Sequence, residues 1–432
     1  MVHFVSMSCI RSGMKLQLLV VLAVALTAAS CSREVRDHAG ILPYVERVLA
    51  DTSSSVYASS RQFSAHPEKG VIAVVGRAED VIRVTETLLT ADNHDNISGR
   101  REPDLLPDFA GETVQSFLDM ANTPYSGYAD NANELFLREL NVHHLLSALD
   151  TVCLANPYDS ASAVRKMRAK VVIFATSYAS AYGMADVDTL LRRSACPVRA
   201  ISPLGSMVNQ AVRSAAGPMN IAIWADNDKA RGGVYSSSMP ALFREVGAEN
   251  AEYQTFVLYE DEFTSDRTAW DRLIAFLDMY LVSDSVKPLS AIFIDDPNVS
   301  VSLMRDAIEA LKLSTGDDLL PYRNILREDF VLLDPAGCMA EDCYSYLRKA
   351  DAFTHKVAYP ENMIYFTAPD YDYPGAGFDS DGQFAPAFRY GRAASRDEAA
   401  FNLVKMSDRF FPDSLMQFME TEAPKTFSLY VR

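Results

Sequence analysis

Cysteine and histidine are scarce in this chain, and neither recurs at a spacing that would hold a metal. Six cysteines and seven histidines occur among 432 residues. No Cys-x-x-Cys and no His-x-x-x-His is present, so the sequence predicts no zinc site. It contains no repeat of fixed period and no low-complexity tract, and its motifs imply no cofactor.

Positive charge is also in short supply. The chain has 40 lysines and arginines against 57 aspartates and glutamates, which gives a formal net charge of −17. A chain this acidic should repel nucleic acid, so no nucleic-acid partner is expected. Hydrophobic residues, by contrast, make up 49% of the sequence and charged residues 22%. This is a globular composition, and the length suggests two or three domains.

The apolar run near the amino terminus is too short for a comfortable membrane span. Lys15 is followed by LQLLVVLAVALTAAS and then by Cys31. A basic residue, an apolar stretch and small residues in this order are typical of a secretory signal. Ala-Ala-Ser before Cys31 resembles the lipobox of bacterial lipoproteins, in which the cysteine is lipidated, although Leu26 stands two places earlier than the usual leucine.

The lipobox resemblance predicts a signal peptide over residues 1–31, lipidation of Cys31 and a tether over residues 32–64. It implies a lipid-anchored protein of the bacterial cell envelope. The membrane, such as the outer membrane, would carry it on its periplasmic face or at the cell surface. The alternative is an ordinary secretory signal in which Cys31 is incidental.

From residue 70 onward, short β-rich runs alternate with amphipathic helical patterns. This alternation predicts an α/β fold of mainly parallel sheets flanked by helices. The number of strands favours two sheets, and so two lobes with a cleft between them. Strands are predicted at residues 71–76, 170–175, 197–201, 220–225, 253–259, 289–294, 330–333 and 363–366. Helices are predicted at residues 77–90, 108–120, 132–149, 186–193, 206–216, 233–246, 268–281, 301–313, 340–349, 397–409 and 413–420.

Ligands of parallel sheets bind beyond the carboxyl ends of strands, which directs attention to the strand that runs into VVIFATSYASA (171–181). Thr176, Ser177 and Ser180 lie where this strand enters a helix. Their hydroxyls, with free backbone N–H groups, form a natural seat for the carboxylate of an amino acid or small acid. The alternative is that these hydroxyls cap the helix.

Several segments, in their order and spacing, resemble the aspartate/glutamate racemase superfamily, and glutamate racemase in particular. ATSYASA (175–181) is similar to the family corner Ala-Cys-Asn-Thr-Ala-Ser-Ala, and DMANTPYSG (119–127) to its Asp-Thr-Ala-x-x-Pro-Tyr-Gly loop. MIYFTAPD (363–370) is similar to the late strand Phe-Tyr-Thr-Ser-Gly-Asp. The resemblance covers residues 119–370 and extends more loosely to residue 432.

The resemblance implies a cleft in which two cysteines act as bases on opposite faces of the substrate Cα. The first cysteine corresponds here to Thr176, and the second corner falls on Ile294-Asp295-Asp296-Pro297. The family aspartate of the first strand falls near Gly76 or Arg77. We therefore expect the fold without the two-thiol chemistry. Asp295 and Asp296 are candidates for holding an amine or for a lone base, and the alternative is a surface turn.

The loop with the Pro-Tyr pair touches the substrate carboxylate in the family. The resemblance therefore implies ligand-binding roles for Asn122, Thr123, Tyr125 and Ser126. It also implies a first lobe built from residues 65–202 and 330–432, and a second lobe built from residues 203–329.

Three functions remain open from the sequence. The first is an exported, racemase-fold lipoprotein that binds a small carboxylate, an amino acid or a protein partner without catalysis. The second is an active racemase, isomerase or lyase of the same superfamily that uses altered groups such as Asp295. The third is a type I periplasmic solute-binding protein, which also has two α/β lobes.

Other features are given structural roles. Cys153, Cys196, Cys338 and Cys343 are interpreted as small buried thiols. Residues 371–392 form an aromatic insertion that covers the cleft or presents a contact surface, and residues 260–266 form a solvated acidic loop. The adjacent pair His143-His144 lies within a predicted helix and is not expected to clamp a metal, because neighbouring helical residues point in different directions.

Overall fold

The computed structural model describes residues 40–61, 67–259, 267–394 and 399–431. The signal peptide, Cys31, part of the tether and the acidic loop 260–266 therefore lie outside the described residues. Within the described ranges, no helix has both the length and the apolar character needed to cross a bilayer.

Two sheets with helices on their faces form the fold, which confirms the predicted α/β class. The large sheet has strand order β4-β3-β12-β11-β2-β1-β5-β6, and the small sheet has order β10-β9-β7-β8. Pairing is parallel except between β11 and β12 and between β3 and β4. The strands are β1 Val71–Gly76, β2 Thr113–Leu118, β3 Val152–Leu154, β4 Ala163–Arg165, β5 Ala169–Phe174, β6 Arg199–Ile201, β7 Asn220–Ala225, β8 Glu252–Phe256, β9 Leu289–Asp295, β10 Leu326–Leu333, β11 Glu361–Pro369 and β12 Phe401–Lys405.

The described helices connect these strands and cover the sheet faces. They are α1 Pro43–Ala50, α2 Ser55–Arg61, α3 Ala78–Thr90, α4 Ser126–Asp130, α5 Glu134–Leu149, α6 Ser177–Ala181, α7 Met184–Arg193, α8 Pro203–Ser214, α9 Asn227–Arg231, α10 Val234–Glu245, α11 Ala269–Leu281, α12 Val301–Leu313, α13 Leu320–Ile325, α14 Pro335–Lys349, α15 Pro386–Gly391, α16 Asp413–Glu422 and α17 Pro424–Tyr430. Short 3₁₀ turns occupy Pro67–Lys69, Asp317–Leu319 and Asp408–Phe410.

β1 is an interior strand of the large sheet and is buried on both faces, which explains its unbroken apolar sequence VIAVVG. Ile72 and Val74 pack on one side under α3, α14 and α16, whereas Ala73 and Val75 pack on the other under α1, α5 and α7. Burying one such aliphatic side chain contributes about 1.5–3 kcal/mol. The small sheet is covered in the same way, by α8 and α10 on one face and by α11 and α12 on the other.

Two predicted helices are wrong. Residues 108–120 contain the buried strand β2, and residues 397–409 contain β12 followed by a short turn. In β2, Gln115 and Ser116 interrupt the apolar run and imitate the polar face of a helix. The Ser116 hydroxyl is instead buried in the large sheet, where it contacts Thr85 Oγ1 at 2.7 Å and donates to Asn362 Oδ1 at 2.9 Å.

The chain builds the sheets in three sections. Strands of the large sheet come from residues 71–201 and 361–405, and strands of the small sheet from residues 220–333. The chain thus passes from one sheet to the other twice, after β6 and after β10. The predicted lobe boundary between residues 329 and 330 falls inside β10.

Candidate functional site

Each sheet has a point where the strand order reverses direction. In the large sheet β1 lies between β2 and β5, and in the small sheet β7 lies between β8 and β9. Loops that leave neighbouring strands in opposite directions open a crevice at their carboxyl ends. The residues that follow β1, β5, β7 and β9 are Arg77, Ala175, Asp226 and Asp296.

The carboxyl edges of the two sheets meet. The Tyr178 hydroxyl of α6, next to the β5 corner, donates to the Asp228 carbonyl oxygen at 2.9 Å. The Tyr182 hydroxyl donates to the Gly232 carbonyl oxygen at 2.7 Å. Both acceptors follow β7, so hydrogen bonds join the crevice of one sheet to that of the other.

The last residue of β9 is buried rather than exposed. Asp295 is 3% exposed, and its Oδ1 lies 2.7 Å from the ammonium of Lys229. Tyr235 donates its hydroxyl to the other oxygen at 2.8 Å. The surface-turn interpretation is therefore wrong for Asp295. Both of its carboxylate oxygens are occupied by donors of the protein.

Lys229 is held in its charged form by this arrangement. Burial alone would lower the pKa of Lys229, but the carboxylates of Asp295 and Asp80 outweigh burial and raise it. Asp80 is itself paired with Arg77, which donates through Nε at 3.2 Å and Nη2 at 2.9 Å. The corner after β1 thus lies close to the corner after β9. The two ion pairs there, Arg77–Asp80 and Lys229–Asp295, together carry no net charge.

The predicted anion seat after β5 contains three hydroxyls in different situations. Thr176 Oγ1 accepts from the Tyr178 N–H at 3.4 Å, and Ser180 Oγ accepts from the Leu204 N–H at 3.2 Å, where α8 begins. These two contacts fit the capping alternative. Ser177 is 1% exposed, and its hydroxyl has no hydrogen-bond partner among the described residues. Capping does not explain Ser177.

A buried carboxylate that the sequence interpretation did not single out organises the Pro-Tyr loop. Asp119 follows β2 directly and accepts from Asn122 Nδ2 at 2.8 Å, the Tyr125 hydroxyl at 2.8 Å and Thr367 Oγ1 at 2.6 Å. His144 Nε2 lies 3.1 Å from its Oδ2. Burial alone would raise the pKa of Asp119, but His144 and these donors outweigh it and lower the pKa to about 2.

The loop side chains predicted to bind a ligand are therefore mostly engaged within the protein. Asn122 and Tyr125 donate to Asp119, and Thr123 donates its hydroxyl to the Asp119 carbonyl oxygen at 3.0 Å. Ser126 is buried at the start of α4. The signal for Asp119 was its place at a strand end, which the helix prediction over residues 108–120 concealed.

The aromatic insertion packs against this loop. Phe384 is fully buried in a small cluster with Ala121 and Ala400. The buried guanidinium of Arg392 donates to Asn122 Oδ1 at 2.8 Å and to the Tyr128 hydroxyl at 2.9 Å. The insertion thus stabilises the Pro-Tyr loop through the packing of Phe384 and the hydrogen bonds of Arg392.

The four body cysteines are free thiols that lie elsewhere. Cys153 is in β3, Cys196 precedes β6, and Cys338 and Cys343 are in α14. Burial raises the pKa of all four, that of Cys196 to about 11. Neutral thiols away from the strand ends do not provide the thiolate that cysteine chemistry requires. Within the described ranges, no group of three His, Cys, Asp or Glu side chains is placed to hold a metal ion.

Comparison with protein-family models gave no match, and no curated protein sequence matched either. Among solved structures, a glutamate racemase from Francisella tularensis in complex with D-glutamate is similar, with 12% identity and a TM-score of 0.42 over 79% of this chain and 100% of that one. A glutamate racemase isoform from Bacillus anthracis has 11% identity and a TM-score of 0.41, over 69% and 88%. A glutamate racemase from Thermus thermophilus has 15% identity and a TM-score of 0.39, over 76% and 94%. These are structures of the predicted superfamily, but likeness at this level concerns the fold alone and assigns no chemistry to the residues described above.

Proposed function

We propose that this protein binds a small carboxylate-bearing ligand of the amino-acid class where the carboxyl edges of its two sheets meet, without two-base racemase chemistry. The observation that carries the proposal is the Ser177 hydroxyl, which is buried at the β5 corner and unpaired among the described residues. Buried polar groups in proteins are almost always hydrogen-bonded, and the exceptions call for a ligand, an ion or a water.

Neighbouring hydroxyls make this corner suited to a carboxylate. Thr176 and Ser180 each accept a backbone N–H, and a hydroxyl that accepts still has its own proton to donate. Together with Ser177, they offer three O–H donors at one strand end. Hydrogen bonds to an ionised carboxylate are roughly twice as strong as those between neutral groups.

The facing edge is suited to a positive group. Asp226 and Asp296 follow β7 and β9, and burial together with the charge of Asp226 raises the pKa of Asp296. The cations Arg77 and Lys229 are already matched by Asp80 and Asp295. The remaining negative charge favours an ammonium over a second carboxylate. A zwitterionic amino acid satisfies both edges.

Racemisation needs two bases on opposite faces of the Cα. At the family positions this chain has the Thr176 hydroxyl, which is too weak an acid, and Asp295, whose oxygens are occupied. This supports binding over the alternative of an active enzyme with altered groups. The two crossings between the sheets also favour a racemase-like chain over a type I solute-binding protein, for which we would expect three crossing segments.

The test is a melting-temperature screen of the purified full chain with D- and L-amino acids, and with amines and carboxylic acids of matching size. We expect an amino acid to raise the melting temperature, and Ser177→Ala to abolish the rise. Ser290→Ala is the matched control, because Ser290 is a buried serine at the opposite end of β9 and is hydrogen-bonded to Asn220. A rise that persists in Ser177→Ala would contradict the proposed position of the ligand.

Catalysis is tested separately. Incubation with the amino acid that gives the largest shift, in deuterated water, should leave its Cα proton unexchanged by mass spectrometry. Exchange that disappears in Asp295→Asn or Asp296→Asn would favour an active isomerase or lyase instead.

We further propose that the protein is exported and anchored through a lipid on Cys31, which rests on the sequence around that cysteine. Metabolic labelling with a radioactive fatty acid should mark the wild-type chain and not Cys31→Ser. Equal labelling of the two would refute the anchor.

A further inference from the structure

A cavity of about 760 Å³ opens at the amino-terminal edge of the large sheet, opposite to the edge of the proposed ligand site. It lies between the loop that precedes β2, the second half of α14 and the segment that precedes β11. Glu361 N–H donates to the Glu112 carbonyl oxygen at 2.9 Å and joins β11 to β2 at this end. The volume is within the range of small-molecule pockets.

The inner wall of the cavity is aromatic and contains one unpaired polar group. Tyr344 and Phe353 pack edge to face, with ring centroids 5.3 Å apart, and His94 stacks on Tyr344 at 4.0 Å. Tyr344 is buried, and its hydroxyl has no hydrogen-bond partner among the described residues. A buried hydroxyl in this state is costly until an acceptor takes its proton.

The rim of the cavity is apolar and exposed. Ile97 is 90% exposed, Tyr359 68% and Leu106 49%, and Val357 is fully exposed. All four side chains line one opening. Single exposed apolar residues are common, but a cluster around a cavity marks a surface that binds something.

The loop that carries part of this rim is held rigidly by its own aspartates. Asp92 accepts from the backbone N–H groups of Asp104 and Leu105 at 3.0 Å each. Asp108 accepts from those of Asn93 and His94 at 3.1 and 2.9 Å. The acidic groups are thus directed at the backbone and leave the apolar side chains on the outside. A loop backbone fixed in this way lowers the ordering cost of binding.

Two cationic side chains line the cavity of this otherwise acidic protein. They are Arg348 and Lys356, and the acidic residue of the lining is Asp108, whose carboxylate accepts from the backbone as described above. Arg348 follows Tyr344 by one turn of α14, so their side chains share a helix face. Its guanidinium is fixed by donation to the carbonyl oxygens of Asn96 at 3.3 Å and Ile97 at 2.8 Å.

We propose that this cavity binds a small amphipathic monoanion of the fatty-acid class. Its carboxylate accepts the Tyr344 hydroxyl proton beside Arg348 and Lys356, and its apolar chain lies along Ile97, Leu106, Val357 and Tyr359. This occupant accounts for three features at once: the unpaired hydroxyl, the cationic lining and the exposed rim. A neutral lipid would leave the cationic lining without a counter-charge, and an anion with no apolar chain would leave the apolar rim exposed.

The experiment is calorimetric titration of the purified full chain with decanoate, decanol and decylamine, each below its micelle concentration. Decanoate should bind with one-to-one stoichiometry, and the other two at least roughly tenfold more weakly. Tyr344→Phe removes only the hydroxyl and should weaken decanoate about tenfold. Val357→Asp places a negative charge on the exposed rim and should weaken it as well, without affecting the fold.

Two controls locate the effect. Leu313→Asp introduces the same charge at an exposed position at the end of α12, and Ser177→Ala alters the other proposed site; neither should change decanoate binding. Equal affinity for decanoate and decanol would overturn the proposal, as would decanoate binding that neither Tyr344→Phe nor Val357→Asp weakens. Saturable binding to anionic lipid vesicles that decanoate does not displace would also overturn it and would make the rim a membrane-contact surface.

Discussion

The ammonium of Lys229 lies 2.7 Å from Oδ1 of Asp295, and this ion pair is buried where the two sheets meet. Tyr235 completes it by donating to the second carboxylate oxygen. Lys229 lies in α9, which follows β7, and Asp295 is the last residue of the adjacent strand β9, so the pair links this helix to the end of β9. It occupies the corner where the sequence resemblance placed a catalytic base.

Removing the carboxylate should be strongly destabilising. Asp295→Asn removes the only carboxylate in direct contact with the buried Lys229 charge among the described residues, and we expect the free energy of unfolding to fall by about 3–5 kcal/mol. Urea denaturation followed by circular dichroism measures this. Glu252→Gln breaks the exposed pair with Lys287 at 2.6 Å and should cost less than about 1 kcal/mol. Similar losses in the two variants would show that the buried pair has no special role.

Stability should decline in acid through Asp119. Its folded pKa is about 2, below the unfolded value of about 3.9, so the carboxylate stabilises the fold fully above the unfolded pKa. This contribution, on the order of 2–3 kcal/mol, is lost as the pH falls towards the folded pKa. The stability difference between wild type and Asp119→Asn should thus shrink from pH 6 to pH 2 in urea titrations. A constant difference across this range would contradict it.

The body thiols should be unreactive in the folded protein. In a Cys9→Ser, Cys31→Ser background, Ellman's reagent at pH 8 should modify Cys153, Cys338 and Cys343 slowly, because all three are buried and burial raises the pKa of each. Cys196 is half-buried with a pKa raised to about 11 and should react first. In denaturant, all four thiols should become exposed and react. Rapid reaction of two thiols in the native chain would contradict this prediction and would support two-thiol chemistry.

The hydrogen bonds between the sheet edges should stabilise both edges against local opening. Tyr178→Phe removes the bond to the Asp228 carbonyl oxygen and should cost on the order of 1 kcal/mol. Amide hydrogen exchange should become faster on both sides of the contact, in residues 176–181 and 227–231, and remain unchanged in β1. Faster exchange on one side alone would mean that the bond does not couple the two edges.

The parts of the fold that follow from local pattern were predictable from the sequence. β1, β7 and α12 have uninterrupted or periodic apolar residues, and their predicted bounds coincide with the observed ones. β2 and β12 were mistaken for helices, because polar residues interrupt their apolar runs; in β2, Ser116 finds its partners only in the distant residues Thr85 and Asn362. β3 and β4, of three residues each, were not predicted from the sequence.

At the candidate site, the sequence predicted the strand ends but not the contacts made there. Strand ends are visible in the sequence, and Thr176 and Asp295 do lie at the carboxyl edges that meet. The pairing of Asp295 with Lys229 was not visible, because 66 residues separate them and a lysine in a polar stretch gives no sign of burial. The same applies to Asp119 and His144, whose contact depends on how α5 packs against the large sheet.

Arg392 restricts how the Pro-Tyr loop can move. Its guanidinium is shared between Asn122, Tyr128 and the carbonyl oxygen of Ala399, and Asn133 in turn donates to the Arg392 carbonyl oxygen at 2.7 Å. These hydrogen bonds join residues 122–128 to the segment around residue 392, although the two are far apart in the sequence. Any movement of residues 122–128 must therefore displace the segment around Arg392 or break these hydrogen bonds.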